Sequence, residues 1–182
     1  EVSEPSPLKS NRSLVVKESD NTITVNNNSI SLEVDKGTGY ITKYKAKGVH
    51  ILDSPLKLNF WRAETENDEA YRKAMKLQSE FDWMHAGDKI SVEKISFEAP
   101  EKGKVIIYVK GNIANPKTSV GFIYTVLGSG EVKVNYKANI DKNAPNAPRI
   151  GMTFDIAKTY GKLSYLGKGP HANYSDRNYA SH

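Results

Sequence analysis

Two short segments of the chain concentrate the side chains with the most chemical capacity. The first is Leu58-Asn59-Phe60-Trp61-Arg62-Ala63-Glu64-Thr65-Glu66-Asn67-Asp68. Trp61 offers a flat apolar face, and Arg62, Asn67 and Asp68 offer directional hydrogen-bonding groups. Sugars ask for that mixture, because their apolar ring faces are edged by hydroxyls. The second segment is Tyr165 to Arg177, where Gly167 and Gly169-Pro170 predict a tight path after a strand. His171, Asn173, Tyr174, Asp176 and Arg177 then crowd polar and aromatic groups together, as ligand-binding loops often do. Each segment also has a purely structural reading. Trp61 would belong to the core with Arg62 paired to a nearby Asp, and Asp176–Arg177 would tie the second loop to itself.

Other chemistries find less support. The four histidines, His50, His85, His171 and His182, form no i, i+4 pair and no His-Glu-x-x-His motif. Glu64, Glu66, Asp68 and Glu69 lack the glycine and spacing of a calcium loop, and suit the positive end of a helix dipole instead. Gly-x-Ser-x-Gly is missing, and Gly128-Ser129-Gly130 reads as a hairpin turn. Gly161 and Gly167-Lys168-Gly169-Pro170 have neither Gly-x-Gly-x-x-Gly nor Walker spacing. Glycoside hydrolysis needs two carboxyls about 5–9.5 Å apart. With 21 acidic residues a chance pair is open, but nothing in the pattern builds a deep sugar pocket around one.

Composition narrows the class. The 182 residues suit one domain, and 38% hydrophobic content is enough to drive burial. The chain has no cysteine, which excludes disulfides, thiolate metal sites and a cysteine nucleophile. A net charge of +5 arises from interspersed Lys and Arg without a like-charge block, so a nucleic-acid surface is not expected. No apolar run approaches the roughly 18 residues of a membrane span. The expectation is a soluble protein, cytoplasmic or periplasmic, with the compartment undetermined.

The elements that must position these residues are mostly strands. Glu1 to Ser13 carries Pro5, Pro7 and several serines, and residues 1–20 are expected to form a linker or incoming connection. Ile30, Leu32 and Val34 then alternate with polar residues, and Gly37-Thr38-Gly39 supplies a turn into a return strand over Tyr40 to Lys47. The same period of two recurs in Val105, Ile107 and Val109, in Val132 to Ile140, and in Ile150, Met152, Phe154 and Ile156. Between them, Ala70, Tyr71, Ala74, Leu77, Phe81 and Met84 fall three or four apart. That spacing predicts one helical insertion near 67–84, stopping at Gly87. The architecture expected for 21–182 is an all-β antiparallel sandwich with that single insertion.

At the two polar segments the sequence resembles the C-terminal small-chain domain of family-2 β-galactosidases. That family carries a motif like Asn-Phe-Trp-Arg-Ala-Pro-Thr-Asp-Asn-Asp, matched by Asn59 to Asp68 with Glu64 for Pro and Glu66 for Asp. It carries a later one like Arg-Ile-Gly followed by Gly-Arg-Gly-Pro-His-Glu-Asn-Tyr-x-Asp-Arg. Arg149-Ile150-Gly151 and Gly167 to Arg177 match it, with Ala172 in place of Glu.

The resemblance implies a large antiparallel super-sandwich similar to galactose mutarotases, packed beside a TIM barrel that holds both catalytic glutamates. It further implies a parent enzyme that hydrolyses terminal β-D-galactosides, with Mg and Na in its catalytic domain. The family's acid/base glutamate follows an asparagine, and Asn-Glu occurs nowhere here. The chain is therefore expected to be an inactive accessory fragment, incomplete at its C-terminal end, whose partners are the parent's other domains. Trp61, Arg62, Asn67, Asp68, His171, Asn173, Asp176 and Arg177 are its candidate substrate-wall residues. Open sheet edges would favour a homo-oligomer. A stand-alone carbohydrate-binding module with Trp61 as platform, and a mutarotase-like enzyme using His171, are the alternatives.

Overall fold

A computed structural model describes residues 12–63, 65–74, 81–162 and 164. Alternating apolar side chains make its strands, and two packed sheets bury them. The first sheet has the order β1 (Val15–Glu18), β2 (Thr22–Asn26), β3 (Ile30–Asp35), β4 (Ile41–Ala46) and β5 (Val49–His50), all antiparallel. Its β1 lies within the first 20 residues, so the sheet begins inside the stretch expected to be a connection. A short pair follows, β6 (Lys57–Asn59) with β11 (Gly151–Thr153). The second large sheet is built from β7 (Ile90–Glu101), β8 (Lys104–Ile113), β9 (Thr118–Leu127) and β10 (Val132–Ile140), in the order β10-β9-β8-β7.

One core joins the sheets. Ile23, Val25, Leu32 and Val34 from the first meet Val105, Ile107, Phe122, Tyr124 and Val126 from the second, all almost fully buried. Each such side chain contributes about 1.5–3 kcal/mol on burial. Two tyrosines stitch the layers at the Gly39 turn. Tyr124 Oη donates to Gly39 O at 2.9 Å, and the Tyr40 ring meets Phe122 edge-on at 5.5 Å. Gly39 has φ +72°, and a Cβ there would lie 2.5 Å from Val109 Cγ1. Sterics at this turn therefore exclude any other residue. At the far end of the sandwich, Asn27 Nδ2 donates to Gly128 O at 3.1 Å and Tyr44 Oη donates to Gly130 O.

The antiparallel all-β expectation holds, and its hairpins fall where the glycines predicted them. The helical insertion differs in detail. Among the described residues it comprises α1 (Glu66–Ala74), α2 (Phe81–Met84) and a 3₁₀ turn, Ala86–Lys89. Ala70 and Met84, expected on an inward apolar stripe, are exposed, while Trp83 is fully buried. Trp83 packs on Phe60 with ring centroids 5.2 Å apart and donates Nε1 to Pro145 O at 3.1 Å. An indole with a satisfied N–H outcompetes the smaller residues for the core position. Gly87 does not stop a helix; it lies inside the 3₁₀ turn, where a Cβ would be 2.1 Å from Leu58 O. The alternation at Ile150, Phe154 and Ile156 does not mark a buried strand either. All three are exposed; the strand proper is Gly151–Thr153, and Ile156 adds one isolated antiparallel bridge to Leu52.

Candidate functional site

The first polar segment leaves the sandwich at β6. Its Leu58 and Phe60 are buried, and Phe60 is held by Trp83. β6 is clamped from two sides. On one, it pairs with β11, with Asn59 opposite Gly151, and Arg149 N donates to Phe60 O at 3.2 Å. On the other, the 3₁₀ turn closes through the Gly87–Leu58 approach and the Lys57–Asp88 ion pair at 2.6 Å. The fold thus brings the start of the first motif, Asn59-Phe60, against Arg149-Ile150-Gly151, far away in the chain.

Beyond Phe60 the chain turns. Asn59 Oδ1 accepts from Trp61 N at 2.9 Å, an Asx-type turn that fixes where the indole goes. Trp61 is partly buried, and its Nε1 is shut from solvent without a hydrogen-bond partner among the described residues. Leaving such a donor unmade costs about 1–3 kcal/mol. Arg62 reaches forward to Asp68 in a two-pronged pair, Nη1 to Oδ2 at 2.6 Å and Nη2 to Oδ1 at 3.1 Å, and also donates to Ala63 O.

Asp68 also caps α1. Its carboxylate accepts from Thr65 N at 2.8 Å and from Thr65 Oγ1 at 2.7 Å, and Asp68 N returns a bond to Thr65 Oγ1. This is a reciprocal capping box, with Glu66 and Glu69 adding negative charge in the same first turn. The Arg62 hydrogen bond, then the Thr65 donors, hold the Asp68 carboxyl well below its ordinary 3.8. Asp68 is therefore ionised at neutral pH and its oxygens are engaged, a poor proton donor and a poor nucleophile. Asn67 lies exposed on the same turn.

Of the candidate residues, Trp61, Arg62, Asn67 and Asp68 thus share one strand-to-helix corner. His171, Asn173, Asp176 and Arg177 lie outside the described residues, as does the mutarotase-like reading that depends on His171. The ion pair expected between Arg62 and a nearby Asp is present. The orphaned Trp61 N–H was not legible in sequence, because a tryptophan's partner depends on what the fold brings to it. Asn59 and Thr65, which set the turn and the cap, also escaped notice, although Thr-x-x-Asp is a recognisable capping pattern.

Residues 26–182 match the family model described as "Beta galactosidase small chain". Among curated proteins, a Beta-galactosidase of Priestia megaterium is 31% identical over 173 residues, covering 95% of this chain and 16% of that protein. A Beta-galactosidase of Actinobacillus pleuropneumoniae is 28% identical, covering 86% of the chain and 15% of that protein. One of Pseudoalteromonas haloplanktis is 28% identical, covering 91% and 17%. The chain spans about one-sixth of the length of the curated relatives it matches.

Proposed function

Because the chain belongs to the β-galactosidase small-chain family, we propose that it serves a β-galactosidase as an accessory sandwich beside the catalytic barrel. The parent would hydrolyse terminal non-reducing β-D-galactosides with glutamates held elsewhere. The strand-to-helix corner at Trp61–Asp68 would form part of the galactoside pocket's wall. The observation that carries the accessory reading is the family match over residues 26–182; the corner adds a shielded Trp61 N–H without a partner among the described residues, held by an Asx turn next to an Arg62–Asp68 clamp. A fold keeps an unmade indole donor at such cost where an incoming acceptor completes it. With Nε1 closed to solvent, a sugar hydroxyl or a carbonyl of the adjoining barrel would reach it only after the corner shifts on binding or docking.

Asp68 supports the non-catalytic assignment. Its charge is spent on Arg62 and on the helix cap, so the corner orients and does not exchange protons. Mg and Na, implied for the family's catalytic domain, would be bound there. Among the described residues no three His, Asp or Glu side chains converge. The outer edges of β1, β5, β7 and β10 would be completed by neighbouring strands of the parent, or by a second copy in the isolated chain.

The test is a steady-state comparison in the full-length β-galactosidase carrying Trp61→Phe, which keeps an aromatic ring and deletes the donor. A fall in kcat/KM of about fivefold to tenfold, at unchanged thermal midpoint, is expected for one neutral hydrogen bond. Unchanged kcat/KM would remove Trp61 from the pocket. The isolated chain should show no turnover of a chromogenic β-galactoside; activity surviving repurification would overturn the accessory assignment.

A further inference from the structure

Away from this corner, the outer face of the second large sheet carries a feature that the core does not demand. In register across β7, β8, β9 and β10 run Lys94, Lys110, Gly121 and Lys137. The missing side chain at Gly121 leaves a groove of about 420 Å³, flanked by those lysines, Tyr108 and Ile123, with Ser96 and Asn135 also on its lining. Glycine in a strand interior weakens the strand, and it commonly marks a bulge, a bend or the close approach of another group. The β8–β9 and β9–β10 registers run unbroken through Gly121, so bulge and bend are excluded. Its φ is not in the left-handed region, and a Cβ there would make only an ordinary 3.5 Å contact with Val109 O. By contrast, a Cβ on Gly111, one strand over, would lie 2.6 Å from Ser91 O. Nothing inside the fold requires glycine at 121.

The charges around the groove say what fits it. Lys94 and Lys137 have no ion-pair partner among the described residues. Glu93, on the same face, is engaged by Asn112 and Lys110, while Glu98 keeps its charge, accepts from Tyr108 at 2.6 Å and does not line the groove. Tyr108 and Ile123 remain exposed beside them at 37% and 41%. We infer that this face docks an acidic protein segment that seats one apolar side chain over Gly121, while its carboxylates meet Lys94 and Lys137. A second copy placed face to face would set lysine against lysine, which disfavours self-docking.

The test uses the full chain and a fluorescent peptide of alternating Asp and Glu with one central Phe, followed by anisotropy at low salt. Gly121→Leu fills the groove, and Lys94→Glu with Lys137→Glu reverses the rim; each should weaken binding by about tenfold or more. Lys45→Glu, on the other sheet, should leave it unchanged. The thermal midpoint of Gly121→Leu reports folding independently and should not fall. Four outcomes would each overturn the proposal: no peptide binding at millimolar concentration, equal binding by Gly121→Leu, equal affinity for a peptide with Gly in place of Phe, or stronger binding of a heparin fragment that the peptide cannot displace.

Discussion

Asn59 stands directly opposite Gly151 in the antiparallel pair of β6 and β11. That pairing gives the candidate corner its fixed base. The strand leading into Trp61 is held by β11 on one edge and by the 3₁₀ turn through Leu58, so the indole and the Arg62–Asp68 clamp project from a braced segment. The position of the corner therefore depends on contacts remote from its own chemistry.

Gly87 supplies the tightest of those contacts. A methyl group at this position would fall 2.1 Å from the Leu58 carbonyl oxygen, and backbone lies on both sides of the clash. Gly87→Ala is expected to cost about 2–3 kcal/mol, in the upper range for overpacking a filled site. Urea unfolding should show a lower midpoint with an unchanged slope, since the surface exposed on unfolding stays the same.

Asp68 links the corner to acid stability. Its carboxyl is held below 3.8 in the fold, first by Arg62 and then by Thr65. The stability it contributes is thus fully present above about pH 4 and is lost as pH falls through that range toward the folded value. Asp68→Asn should cost about 1–2 kcal/mol at pH 7, chiefly through the helix cap. The ion pair counts for little of this, because solvent reaches about a third of each partner, 31% and 30%. The two proteins should converge in stability as pH drops below 4; equal differences at pH 7 and pH 3 would argue against this assignment.

How much of this was legible in sequence depends on what each residue's role requires. Period-two alternation identified β3, β8 and β10, because a strand with one buried face must alternate whatever it packs on. The turns at Gly37–Gly39 and Gly128–Gly130 were legible for a similar reason, since their backbone needs are local. Trp83 was hidden because its burial comes from Phe60 and Pro145, contacts across 23 and 62 positions of the chain. Ile150, Phe154 and Ile156 misled because alternation reports an amphipathic segment without saying what will cover it. At the corner, residue types announced Arg62 and Asp68 as a pair. The buried, unmet donor of Trp61 exists only once the fold has closed around it.

Tyr40 sets the alkaline limit. Its Oη donates to Gly87 O at 2.7 Å, and burial pushes its pKa up to about 12. Its contribution is fully present below pH 10, where the unfolded chain also keeps the phenol neutral, and it is lost between about pH 10 and 12 as the unfolded phenol ionises. Tyr124 moves in the same direction, by burial and then by its nearness to Tyr40. Tyr40→Phe should cost about 1 kcal/mol at pH 7 by removing the bond to Gly87, and should flatten the decline above pH 10. A melting series from pH 7 to 11 on both proteins reads the difference.

Gly111 and Gly121 offer a paired test of what a strand glycine is for. Both lie in long strands of the same sheet, and the Gly111↔Val120 and Lys110↔Gly121 registers set them one position apart on opposite faces. At Gly111 a Cβ would press on Ser91 O at 2.6 Å and on Ile90 at 3.4 Å, so Gly111→Ala must push β7 away. It is expected to lose about 1–3 kcal/mol. At Gly121 the backbone already suits any residue and the space above it is open, so Gly121→Ala should gain about 0.5–1 kcal/mol by restricting the unfolded chain. Calorimetry should thus move the two midpoints in opposite directions. A loss at both positions would mean that Gly121 answers to the core after all, and the groove above it would then be a by-product of packing.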